Sequence, residues 1–142
     1  MTQNWIYIDP IHPEDWVGFV YKITNKTNGK FYIGKKVFWN NRKTKLTKKE
    51  IAEQTGPGRK PTHKVVTKES DWLTYWGSNK DLLADIQELG MDNFERKILT
   101  LCKSKKELTY WEMHYQCKEE VLLVNAYNDN ILGKFFTQDL IS

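Results

Sequence analysis

Residues 17–35 read VGFVYKITNKTNGKFYIGK, and the rest of the chain is best read outward from this stretch. VGFVYKIT at 17–24 and KFYIGK at 30–35 are rich in β-branched and aromatic residues, which suit a pleated surface. Between them lies Asn25-Lys26-Thr27-Asn28-Gly29, whose Asn-Gly pair tolerates the positive φ of a tight turn. A β-hairpin is therefore predicted. It carries Tyr21 and Tyr32, one near the end of each strand, with Gly34 directly after Tyr32-Ile33. Two strand tyrosines are ordinarily core aromatics with satisfied hydroxyls. A glycine at 34 either meets a special backbone angle or lets another group approach closely.

Downstream, residues 40–70 (NNRKTKLTKKEIAEQTGPGRKPTHKVVTKES) are polar and basic, and predict at most one short helix near 47–54, opened by a Thr47-x-x-Glu50 capping box. Ser78 is predicted to cap a helix that runs through Leu89 to Gly90, with Leu82, Leu83, Ile86 and Leu89 on one apolar face. NFERKILTLC at 93–102 reads as a third strand. A second capping box, Ser104-x-x-Glu107, opens a helix expected to reach about Glu119, after which VLLVN at 121–125 leads into an Asn-rich tail. The order β-β-basic insertion-α-β-α predicts an α/β fold. It would be a small single-domain sandwich with a short mixed or antiparallel three-stranded sheet flanked by helices. Residues 1–16 are expected as an N-terminal extension and 17–142 as the domain, with the insertion at about 40–70.

A length of 142 residues suits one domain with one core. With 39% hydrophobic and 13% aromatic residues, the chain has enough apolar material to fold rather than remain disordered. No apolar run approaches the roughly 18 residues that span a bilayer. The opening MTQNWIYIDPIHPEDW lacks a basic segment followed by an apolar one, so a cytoplasmic location without membrane contact is expected. Cys102 and Cys117 are too few and too far apart for a disulfide framework or a four-ligand zinc site, and are expected to be buried free thiols. His12, His63 and His114 show no paired-ligand spacing, which argues against a zinc enzyme.

The formal net charge of +4 is unevenly spread. Residues 35–70 hold eleven Lys and Arg against three Asp and Glu, a net of +8, whereas residues 71–142 hold eight against twelve, a net of −4. Such a cluster neutralises phosphates and releases their counterions, which makes nucleic acid the natural partner. A solvated lysine-rich loop would carry the same charge. In the helix at 104–119, Leu108, Trp111, Glu112 and Tyr115 follow the i, i+3, i+4, i+7 spacing of a buried face. A carboxylate on that side must be paired, protonated or bound to a cation, because an isolated buried charge costs several kcal/mol. Glu112 is thus either a ligand for a hard divalent ion such as Mg²⁺ or a boundary partner of one of the lysines.

Gly18-Phe19-Val20-Tyr21, followed eleven positions later by Tyr32-Ile33-Gly34, resembles the signature of the GIY-YIG nuclease superfamily. The stretch Trp72-x-x-Tyr75-Trp76-Gly77-Ser78, with Asn93-Phe94-Glu95 after the next helix, is similar to free-standing phage-type members and to the catalytic halves of homing endonucleases. The resemblance spans residues 17–130. It implies that an arginine on the first helix, matched by Arg42 ten residues after Tyr32, contacts phosphate, and that Glu112 in Tyr110-Trp111-Glu112 binds the metal. It also implies a supporting asparagine, which Asn128 matches best and Asn125 matches second. Lys35 corresponds to a lysine of the excision-repair branch. Two departures stand out. The His or Tyr expected one turn after the arginine is Leu46 here, which leaves His63 or Tyr75 for that role and Arg59 as an alternative to Arg42. A long C-terminal DNA-binding extension is missing too, so selectivity is expected from the domain, a homodimer or a partner.

The activity implied is metal-dependent hydrolysis of DNA phosphodiester bonds. Tyr32 would orient or deprotonate the attacking water with Tyr21 hydrogen-bonding beside it. Cations such as Lys35 would be needed to favour the phenolate of a group whose ordinary pKa is near 10. Arg42 would neutralise phosphate oxygens, and Mg²⁺ or Mn²⁺ on Glu112 would stabilise the leaving 3′-oxygen. Lys36, Lys43, Lys45, Lys48, Lys49, Arg59, Lys60 and Lys64 are the expected DNA contacts. Two rival readings are a non-catalytic nucleic-acid-binding module that uses the basic insertion, and a basic accessory protein for an acidic partner.

Overall fold

The computed structural model describes residues 4–140. In chain order its strands are β1 (Gly18–Asn25), β2 (Phe31–Val37), β3 (Trp39–Lys45), β4 (His63–Glu69), β5 (Phe94–Cys102), β6 (Asn130–Ile131) and β7 (Phe135–Phe136). Its helices are α1 (Lys48–Ala52), α2 (Lys80–Leu89), α3 (Lys105–Lys118) and α4 (Thr137–Leu140). By packing density the chain forms two units, one made of residues up to Phe38 and from Asp71 on, the other of Trp39–Ser70.

In the first unit the predicted hairpin is closed by the Asn25 side chain, whose Oδ1 accepts from the Thr27 amide at 3.0 Å and hydroxyl at 2.6 Å. Gly29 adopts the positive φ of the turn, 77°. β1 then pairs antiparallel with β2 on one side and β5 on the other, giving the order β2-β1-β5. The sheet is wholly antiparallel, the second of the two options left open. Alternation along β1 sends Val20 to one face and Phe19, Tyr21 and Ile23 to the other, and all four are buried because both faces are covered. Beneath one face Val20, Ile33 and Cys102 pack with Leu108 of α3 and with Val121, Leu122 and Ile131. Across the other, Phe19 meets Trp5, Phe38 and Trp72, with ring centroids 4.9, 5.1 and 6.2 Å away. The N-terminal segment is built into this layer. Trp5 Nε1 donates to the Trp72 carbonyl at 2.6 Å, and Ile6 forms an isolated parallel bridge with Lys97 of β5.

Local corrections follow from the helix ends. Asn79, not Ser78, caps α2, its Oδ1 accepting from the Leu82 amide at 3.0 Å. Only Leu82 and Ile86 of the expected face are buried; Leu83 and Leu89 are exposed because α2 meets the core along the single i, i+4 stripe of those two residues. Ser104 caps α3, yet Glu107 returns to the Lys103 amide at 3.1 Å, so the box is offset by one residue. Cys102 is buried as expected, whereas Cys117 lies on the exposed side of α3.

The second unit corrects the reading of the basic insertion as loop and short helix. It holds the antiparallel ribbon β3–β4 around α1, with Arg42 opposite Val66. The Thr47–Glu50 capping box is present in full. Lys64 Nζ sits 2.7 Å from Glu50 Oε2, which helps hold that carboxyl at a pKa of about 2. Among the described residues no helix is long and apolar enough to cross a membrane.

The free edge of β2 is closed by the segment after α3. Tyr127 N donates to the Phe31 carbonyl at 2.7 Å, and the Tyr127 hydroxyl donates to Asp85 at 2.6 Å while accepting from Asn25 Nδ2 at 3.2 Å. Burial, with the Asp85 bond second, pushes the Tyr127 phenol up to about 12 from 10.0. The folded state thus holds this proton more tightly than the unfolded chain. The stability involved is complete below pH 10 and is lost as pH rises toward 12. Tyr127→Phe is expected to destabilise by about 1–3 kcal/mol at neutral pH, since it leaves Asn25 and Asp85 short of a partner. The variant should also flatten the alkaline fall of the melting temperature, and melting curves across pH 8–12 for both proteins check both effects.

Candidate active site

Gly34 stands opposite Tyr21 in the β1–β2 ladder, and a Cβ there would lie 2.6 Å from Tyr21 Oη and 2.9 Å from Tyr32 Cε2. Close approach, not a special backbone angle, is therefore what the glycine serves. Two residues back on the same face, Tyr32 brings its ring within 6.1 Å of that of Tyr21. The β1–β5 register shifts between Val20 and Tyr21, leaving Leu99 as an extra residue on β5. Such a bulge adds local twist next to Tyr21.

The two tyrosines differ in exposure. Tyr21 is 1% exposed and hydrogen-bonds Tyr75, whereas half-buried Tyr32 lines an open cleft and hydrogen-bonds Ser78. Tyr75 and Ser78 come from the turn before α2, where Gly77 takes a φ of 90°. Arg96 anchors that turn. Its guanidinium lies 4.5 and 4.3 Å from the Trp5 and Trp76 rings and donates to the carbonyls of Tyr75 at 2.7 Å and Leu73 at 3.2 Å. Desolvation lowers its pKa to about 10, which leaves it charged at neutral pH. Lys36 covers the outer side of Tyr75, 4.0 Å above the ring, and pairs with Asp71 at 2.6 Å.

The cleft has a volume of about 170 Å³, and Glu112, Gln116, Asn79, Asn128 and Asp129 join Tyr32 in lining it. Glu112 and Gln116 are one helical turn apart on α3, hence on one side of it. Burial raises the Glu112 carboxyl pKa above its ordinary value, opposed by the Lys35 ammonium, which donates to Thr109 Oγ1 at 3.0 Å. Asn128 grips the backbone between Tyr32 and Gly34: its Oδ1 accepts from the Ile33 amide at 3.0 Å and its Nδ2 donates to the Ile33 carbonyl at 2.8 Å. Gln116 Nε2 donates to the same carbonyl at 3.0 Å, which turns Gln116 Oε1 away from it, buried and without a hydrogen-bond partner. Asn125, the competing choice, is exposed.

The expectation that Lys35 would favour the Tyr32 phenolate is not met. Burial is the first cause raising the Tyr32 pKa, with Tyr75, Glu112 and Asp129 adding to it; only the Ser78 hydrogen bond opposes. Tyr21 is raised further, by burial first and Tyr75 next. Lys35 acts on Glu112 instead. Arg42 lies on the exposed strand β3, not on a helix, and His63 begins β4; both belong to the ribbon unit with Arg59 and the expected DNA-contacting lysines other than Lys36. Among the described residues, no group of three or more His, Cys, Asp and Glu is placed to hold a metal.

Sequence reasoning missed Arg96, Ser78, Gln116 and Asp129. Arg96 had a signal, because alternation in Phe94-Glu95-Arg96-Lys97-Ile98 sets it on the inward side between two apolar residues. Gln116 also had one, standing four residues after Glu112. Ser78 and Asp129 sit in turns, which leave no periodic trace.

A family model described as "Putative endonuclease segE, GIY-YIG domain" matches residues 5–135. No curated protein and no solved structure matches the chain.

Gly34→Ala is expected to destabilise by about 1–3 kcal/mol through overpacking, which outweighs the gain of up to ~1 kcal/mol from a stiffer unfolded chain. Adding Tyr21→Phe should restore part of that stability, since it removes the nearest clashing atom but leaves Cζ at 2.8 Å. Denaturant midpoints of the two single variants and the double variant measure this coupling.

Proposed function

Because the chain belongs to the GIY-YIG endonuclease family, we propose that it hydrolyses DNA phosphodiester bonds at the cleft between Tyr32 and Glu112, with a divalent metal bound there. The observation that carries this reading is that one small polar cleft is lined by both residues, although they come from an edge strand and a helix eighty positions apart in the chain. The family generally works with a divalent metal.

Phosphodiester hydrolysis needs an oriented water, stabilisation of charge on the phosphorane and help for the leaving oxygen. Tyr32 is the group that meets the water. With its pKa raised by burial the phenol stays protonated at neutral pH, so it acts by orienting the water; it would accept the water's proton only as the phenolate, which nearby positive charge would have to favour. Tyr21 fixes the Tyr32 ring from behind and is itself held by Tyr75. On this unit Lys35 is the cation beside Glu112, and it serves the phosphate charge. The ribbon lysines and Arg59 contact phosphates of the DNA. Asn128 positions Tyr32 through the Ile33 backbone.

The donors in the cleft fit Mg²⁺ or Mn²⁺. Glu112 supplies a carboxylate whose burial favours a cation partner, Asp129 a second one, and Gln116 Oε1 a buried acceptor in want of a donor. When bound, the metal supplies Lewis-acid stabilisation of the leaving 3′-oxygen. Few protein ligands are needed, since Mg²⁺ keeps several waters and takes the rest from substrate phosphates.

Glu112→Gln is the direct test. Cleavage of plasmid DNA in Mg²⁺ should be abolished, while DNA affinity is kept or tightened as a negative charge leaves the site. The melting temperature should stay level or rise: the carboxyl's folded pKa is raised, so its ionisation weighs against the fold as pH climbs, and the amide removes that term. Retained cleavage with a lower melting temperature would return Glu112 to a structural role.

The ribbon unit is tested by charge. Neutralising Lys43, Lys45, Lys48 and Lys49 together should weaken binding to mixed-sequence duplexes. It should also flatten the log–log dependence on salt by nearly one unit, about 0.9, for each phosphate that is no longer neutralised. An unchanged slope moves the non-specific affinity elsewhere.

A further inference from the structure

We propose that the β3–β4 ribbon reads base edges in the major groove of B-form DNA, with Arg42 as its guanine-specific contact; this rests on the endonuclease reading above. A two-stranded ribbon is marginal in water unless a third element covers one face. Here six of the seven β3 residues and all seven of β4 are exposed. The pairing register sorts the side chains. Asn40, Arg42 and Thr44 share one face with Lys68, Val66 and Lys64, their partners across the ladder. Neither strand contributes a carboxylate to that face, and the residue opposite Arg42 is Val66, 42% exposed. Glu50 reaches it only at one end, where it holds Lys64 at 2.7 Å.

This face matches the groove in shape and in chemistry. The major groove of B-DNA is about 12 Å wide and admits a two-stranded ribbon. Seven residues extend about 23 Å, which covers a few base pairs with flanking phosphates. Arg42, at the middle of β3, presents the forked donors that match guanine O6 and N7, while Asn40 can pair with an adenine edge and exposed Val66 can meet a thymine methyl. The lysines toward the ribbon ends suit phosphates, which position without specifying. A-form RNA does not offer this site, because its major groove is too deep and narrow for side chains to read. A chain with a small catalytic unit gains from the ribbon what its cleft cannot supply, a preference for sequence.

The test separates sequence reading from catalysis. Duplexes are selected from a randomised pool by binding to the full chain without divalent metal, so that cutting plays no part, using wild type, Arg42→Lys and Arg42→Ala. Wild type is expected to enrich guanine at one position at least about fivefold, the lower bound for a good bidentate pair. Arg42→Ala should erase that enrichment and Arg42→Lys should weaken it, because an ammonium still reaches guanine O6 and N7 but lacks the planar fork. The salt slope, set by phosphate contacts, should stay close to that of wild type in both. Replacing guanine by 7-deazaguanine should weaken wild-type binding and leave Arg42→Ala unmoved, because it deletes the N7 acceptor alone. A pool without guanine enrichment, or an enrichment that survives Arg42→Ala, overturns the proposal even if cleavage is intact. Failure of plasmid cleavage with enrichment preserved would instead overturn the catalytic reading and leave the ribbon's role standing.

Discussion

The peptide groups of Ile33 face away from the sheet's centre, on an edge strand that is nevertheless buried, and they must be satisfied. An unpaired buried amide or carbonyl costs about 1–3 kcal/mol. A further β-strand would meet the need but would also cover the tyrosine that follows the hairpin turn. Two side-chain amides take its place, Asn128 bonding both the N–H and the C=O and Gln116 sharing the C=O. This keeps the edge closed to pairing with other chains. It also leaves an opening beside Tyr32, and the cleft is that opening. The rest of the unit supports it: α3 brings Gln116 and Glu112 together, and the Tyr127 network holds the segment that carries Asn128.

Much of this unit was legible in the sequence because its elements bury one regular face. β1, β2 and β5 fall within two residues of the runs at 17–24, 30–35 and 93–102, and α3 within one of its capping signals. The three-stranded sheet flanked by helices follows from those elements. The ribbon was not legible, for a related reason. Strands without a buried side show no apolar alternation, and β3 and β4 present Lys, Asn and Thr on both faces. Only Val65-Val66-Thr67 hinted at extended backbone, and the Gly and Pro around it spoke for a loop.

For the site, the legible part was again the periodic part. Glu112 showed as a carboxylate out of place on an apolar helical stripe, and Tyr21 and Tyr32 as hairpin residues beside a glycine. The division of labour between the tyrosines was hidden, since it depends on which ring the turn at residues 72–78 covers, a long-range matter. The electrostatic expectation failed on the same ground. Spacing along β2 puts Lys35 three residues from Tyr32, but alternation sends its ammonium to the α3 side of the sheet, next to Glu112 and Thr109. Arg42, ten residues after Tyr32, lies on a strand of the ribbon and not on a helix, while the arginine of the sheet unit, Arg96, is enclosed by two indoles.

The order in which these pieces are made on the ribosome has its own consequence. Trp5, which flanks the arginine that holds the Tyr75 turn, emerges early, whereas Glu112, Asn128 and Asp129 follow only after the whole sheet has been synthesised. A nascent chain carries the hairpin tyrosines without the helix and the amide that make them a cleft. A chain of this endonuclease family thus completes the cleft only when α3 and the segment behind it have left the ribosome.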